Sequence, residues 1–147
     1  MPLKESTSSP TGGFASLAPE LHVNDLAQSL RFWRDLCGFR VVFERSEEKF
    51  VFLEREGAQL MLCQRHGRYE TGAMEHPLGQ GAMFQIHFDD IAGLAAALGA
   101  ARWKLYEGVR ERWYRAGDRE NGLRQLMVQD PDGYLVMFAQ RLGFRRA

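Results

Sequence analysis

The chain has 147 residues, and its 19 basic and 19 acidic side chains cancel. That balance leaves no global field to favour nucleic acid or an anionic membrane. The apolar runs fall far short of a membrane span, and nothing near the N-terminus resembles a secretory leader, so a single cytoplasmic domain is expected, without nucleic-acid or membrane partners.

Residues 1–16 are rich in Ser, Thr, Gly and Pro and are expected to form a flexible tail, because they offer little surface to bury. Residues 17–24 read as a strand. Asn24 or Asp25 then supplies an N-cap for a helix running to about Cys37, with Leu26, Leu30, Trp33 and Cys37 as its apolar stripe. Trp33 is expected in the core, and Gly38 is placed to end the helix in a left-handed C-cap. Strands are predicted at 39–45, 49–55 and 58–64. A polar, glycine-containing loop at 65–81 carries His66 and His76, expected to be solvated. Beyond it the pattern restarts: a strand near 82–88, a helix near 90–99, and strands near 102–106, 111–116, 123–129 and 134–140. Cys37 and Cys63 lack metal-binding or redox spacing and read as buried free thiols.

The restart extends to individual residues. His22-Val-Asn-Asp25-Leu-Ala matches His87-Phe-Asp-Asp90-Ile-Ala at a strand-to-helix junction. Gly57-Ala-Gln-Leu-Met61-Leu-Cys-Gln-Arg65 matches Gly133-Tyr-Leu-Val-Met137-Phe-Ala-Gln-Arg141. Two echoes in the same order imply an internal duplication, and therefore an α+β fold of two tandem βαβββ modules, one over about 17–64 and the other over about 82–142.

With LRFWRDLCGFRV after the first strand and QDPDGYLVMF near the end, this pattern resembles the vicinal oxygen chelate superfamily, nearest the metal-free bleomycin resistance proteins. The resemblance covers residues 17–142. It implies a curled, cup-shaped mixed sheet with helices outside, forming one domain over 17–147, and a homodimer with ligand grooves where two chains meet. Enzymes of the superfamily hold a divalent metal through the first and last strands of a module. Carried over on the HVND, HFDD and DPDG anchors, those positions fall on Ala18, Met61, Gly81 and Met137. None supplies imidazole or carboxylate, the donors such a metal needs.

Strand alternation places Ala18, Glu20 and His22, and likewise Met83, Gln85 and His87, toward the cup. The expectation is a non-catalytic protein with no cofactor. It would sequester a hydrophobic or cationic aromatic compound, bleomycin-like or otherwise, against Glu20, Met61, Met83, Gln85, Trp113, Tyr114 and Met137, with Glu20 setting the charge preference. The competing class is a lyase, isomerase or dioxygenase whose metal is held by displaced ligands such as His22, Glu20 and His87. No GxSxG, Walker A, HExxH or GxGxxG pattern points to another chemistry.

Overall fold

The computed structural model describes residues 9–147. The chain divides into two compact units, with the boundary between Ala73 and Met74. Among the described residues no helix is long and apolar enough to cross a membrane.

In the first unit, β1 (Glu20–Val23) leads into α1 (Leu26–Leu30), which continues as a π-helical stretch over Arg31–Leu36. Asp25 caps α1 by accepting a hydrogen bond from the Gln28 N–H at 3.3 Å. Gly38, at φ 74°, turns the chain out of the helix. Strands β2 (Arg40–Arg45), β3 (Phe50–Arg55) and β4 (Ala58–Gln64) complete a four-stranded sheet in the order β1-β4-β3-β2. β1 lies parallel to β4, which is why a helix must carry the chain across, and the other pairs are antiparallel. Leu21, Val23, Leu53, Leu60 and Leu62 are buried on one face. Trp33 is in the core as expected, its ring edge-on to Phe32 at 5.2 Å and to Phe39 at 5.6 Å.

The other face of this sheet carries Phe50, Phe52, Met61 and Cys63, and residues 9–16 lie on it. Thr11 donates its N–H to both Glu54 carboxylate oxygens, at 3.1 and 2.9 Å, and its hydroxyl to one of them at 3.0 Å. The Ala15 N–H donates to Gln59 Oε1, Gln59 Nε2 donates to the Gly13 carbonyl, and the Phe14 ring meets that of Phe52 at 5.4 Å. The expected flexible tail is therefore corrected over 9–16; its first eight residues fall outside the described ones. The cause is polar satisfaction. Glu54 and Gln59 are paired across β3 and β4 and both buried, and a buried polar group without a partner is costly.

The second unit repeats the plan. β5 (Met83–His87), α2 (Ala92–Ala100), β6 (Leu105–Ala116), β7 (Arg119–Gln129) and β8 (Leu135–Arg146) form a mixed sheet in the order β5-β8-β7-β6, again with the first and last strands parallel. The two strands expected at 102–106 and 111–116 are one. Irregular pairing between Leu105 and Arg110 bends β6 without ending it.

Register confirms the duplication: Glu20 pairs with Met61 in the first unit, and Gln85 with Met137 in the second. It also corrects one carried-over position. Two residues before Glu20 stands Ala18, and two before Gln85 stands Met83, so Met83 and not Gly81 is the counterpart of Ala18.

The Asp-Pro-Asp-Gly turn that launches β8 is closely fastened. Buried Asp130 accepts at one oxygen from the N–H groups of Asp132 and Tyr134, both at 2.9 Å, and its carbonyl accepts from Gly133 N–H at 3.0 Å. The Leu78 N–H donates to the Asp132 carbonyl at 2.8 Å, seating the preceding loop against the turn.

Candidate functional site

In the second unit, alternation splits the sheet into two unlike faces. Leu126, Val128, Val136 and Phe138 are wholly buried on one. The opposite face forms an open groove of about 550 Å³. Its floor is Met137 paired across the strands with Met127, beside buried Leu123 and Ala139, with half-exposed Met83 at one end. Over this soft floor stand a few fixed polar groups. Buried Gln125 accepts at Oε1 from the Tyr114 hydroxyl at 2.7 Å. Gln85 Nε2 lies 2.9 Å from His87 Nε2. Arg112, Asn121 and Glu107 also line the groove, and Glu107 is ion-paired with Arg110. Burial, and then the Arg141 charge, push the His87 imidazole below its ordinary range, which favours its neutral form.

Of the residues expected at the site, Met83, Gln85, Tyr114 and Met137 are brought together here. Trp113 is not. It is next to Tyr114 on the same strand and so points to the other face, where the Arg145 guanidinium stacks on its ring at 4.2 Å. Its ring also fills the place of a side chain at Gly122, where a Cβ would lie 2.6 Å from the indole. Glu20 and Met61 belong to the first unit's sheet. Glu20 is engaged by His22 Nε2 at 2.8 Å, and Met61 packs against Val42, Phe50, Phe52 and Cys63. His66 and His76 are both exposed, as expected, and the His66 ring also meets that of His22 at 5.2 Å. Groove residues missed from the sequence are Glu107, Arg112, Asn121, Leu123, Gln125 and Met127. Parity from Tyr114 leads to Arg112, and the run Leu123, Gln125, Met127 alternates in LRQLMVQ, so the signal was present.

The residues at the superfamily's metal positions do not fit a divalent metal. Ala18 offers no donor, and Met61, Met83 and Met137 offer thioethers, which suit soft ions. Among the described residues, no group of three or more His, Cys, Asp or Glu is placed to hold a metal ion. No step can be routed through one at these positions.

A family model matches residues 14–138, and the chain belongs to the glyoxalase/bleomycin resistance protein/dioxygenase superfamily. Its relatives include a crystallised superfamily member from Vibrio splendidus 12B01, 34% identical, with 84% of this chain and 95% of that one covered and a TM-score of 0.39. Virulence protein STM3117 of Salmonella typhimurium is 26% identical over 122 residues, which is 82% of this chain and 79% of that protein. The crystal structure of TioX from Micromonospora sp. ML1 shares the fold at a TM-score of 0.64 and 20% identity, with 87% of this chain and all of that one covered.

Proposed function

We propose that the protein is a non-catalytic binding protein of this superfamily, sequestering an aromatic small molecule on the open face of its second module. The observation that carries this is the composition of the groove. Three methionines, Met83, Met127 and Met137, make a deformable apolar surface beneath a small set of oriented polar groups, Gln85 and the Tyr114–Gln125 pair. Apolar walls supply affinity, a few polar groups fix orientation, and thioethers adapt to ligand shape. A volume of about 550 Å³ falls in the range of drug-sized pockets. Residues 9–16 cover part of the duplicated face of the first module. The opening beside them, of about 600 Å³, is lined by charged groups such as Glu47, Glu48, Lys49, Arg65 and Arg68 rather than by methionines, so the second module offers the more apolar groove. A second copy is the natural cover for a face that leaves Met83 and Tyr114 at 46% and 41% exposure, which supports a homodimer. Cys37 and Cys63 are buried thiols not joined in a disulfide, in keeping with the cytoplasm.

Titration with 4-biphenylacetamide, a neutral aromatic probe, tests this proposal by the methionine methyl NMR signals. Those of Met83, Met127 and Met137 are expected to shift together while Met61 stays in place. Shifts confined to Met61, or none at millimolar probe, would overturn it.

A further inference from the structure

We propose that Arg112 and Arg141 form a clamp for the anionic end of the ligand, so that the class bound is the aromatic carboxylate. This rests on the groove being the ligand site. Leu123 on β7 is the register partner of Arg112 on β6 and of Arg141 on β8. Directly paired residues project to the same face, so the two arginines flank Leu123 in a single row across three strands. Neighbouring strands lie roughly 4.8 Å apart, which puts the two arginine backbones about 10 Å from each other, within the joint reach of two guanidinium groups closing on one carboxylate.

Both side chains are exposed, and among the described residues neither makes a hydrogen bond or an ion pair. The contrast with their neighbours is informative. Arg110, Arg124 and Arg145 on the same strands are paired with Glu107, Glu111 and Glu120. Glu107, the carboxylate that lines the groove, is thus already engaged. Like charges facing across one row repel, and an anion between them reverses the sign of that interaction. Leu123 beneath them is only 2% exposed, so the contact would sit over an apolar floor and be screened less than on open surface.

The arginine row also lies at a useful distance from the methionines. From Arg141 to Met137 is four residues of β8, roughly 13 Å at about 3.3 Å per residue. Between them Gln125 and His87 flank Ala139. An aromatic body on Met127 and Met137 with a carboxylate reaching the arginines spans that distance. This charge preference is opposite to the one expected from Glu20, whose carboxylate is held by His22 on the other module's sheet.

Calorimetry with 4-biphenylacetate and the matched neutral 4-biphenylacetamide decides the matter, using wild type, Arg112→Gln, Arg141→Gln and the double variant. The acid is expected to bind wild type about tenfold tighter than the amide, as charge-assisted hydrogen bonds warrant. Each single variant should narrow the ratio of acid to amide affinity and the double should bring it to about one, with thermal melts of all four proteins reporting intact folding. Acid and amide binding wild type alike, or a ratio that survives the double substitution, would overturn the clamp and leave the groove standing. If neither probe binds wild type, the groove fails and the clamp with it.

Discussion

Replacing Gly133 with alanine is expected to destabilise the protein by about 3 kcal/mol, as two penalties fall on the same methyl group. The first is conformational. Gly133 holds φ at 93°, which L-residues rarely adopt, at a cost of roughly 1–3 kcal/mol. The second is steric. A Cβ here would stand 2.5 Å from the Pro77 Cβ and 2.6 Å from its Cα, so backbone and not a flexible side-chain tip would have to yield. Gly143 separates the two terms. Its φ is 105° but nothing lies within 4 Å of its missing Cβ, so Gly143→Ala should show only the smaller, conformational loss. Urea unfolding of both variants at unchanged m would measure the difference. Equal losses would mean that the loop at Pro77 moves aside freely. Because the turn sets where β8 begins, Gly133→Ala should also weaken probe binding at Met137.

Truncating Glu54 to alanine is expected to cost about 2–3 kcal/mol at neutral pH and to open the first module's covered face. The carboxylate is 4% exposed and accepts from the Thr11 N–H, the Thr11 hydroxyl and the Arg40 guanidinium. Arg40 is itself about half exposed, so solvent screens its share and the figure sits below that for a fully buried pair. Burial alone would push this carboxyl up, but the Thr11 and Arg40 hydrogen bonds outweigh it and hold it below the ordinary glutamate range. The sign follows: the unfolded chain takes up the proton more readily, so the contribution is present above the unfolded value of about 4.3 and is lost as pH falls through the lower folded value. Thermal melts of wild type and Glu54→Gln should therefore converge on acidification. With residues 9–15 released in the alanine variant, Met61 should begin to respond to 4-biphenylacetamide. A silent Met61 in a folded variant would show that the segment does not close that face.

Much of this architecture was legible because period and punctuation agreed. Asp25, Gly38 and the Asp-Pro-Asp-Gly turn each mark the boundary their chemistry predicts, and the His22 and His87 echoes mark equivalent strand ends. Gly81 lies two residues short of the equivalent position, since four residues before each histidine stand Ala18 and Met83. Strand parity separates Trp113 from Tyr114, since neighbours cannot share a face of one strand. Long-range pairings were beyond any local pattern. That Glu54 must be satisfied follows from its place beside Phe52 on a buried strand, but no local feature says that Thr11, 43 positions away, satisfies it. The same holds for Glu20, read as a charge awaiting a ligand and found bonded to His22.

Native mass spectrometry of protein taken from cells without chelator tests the central claim most directly, because it reports bound organic molecules and bound metal together. A sequestering protein should carry a small organic adduct, or none, and no stoichiometric metal. Stoichiometric zinc, iron, nickel or manganese would contradict binding without catalysis and would point to donors outside Ala18, Met61, Met83 and Met137.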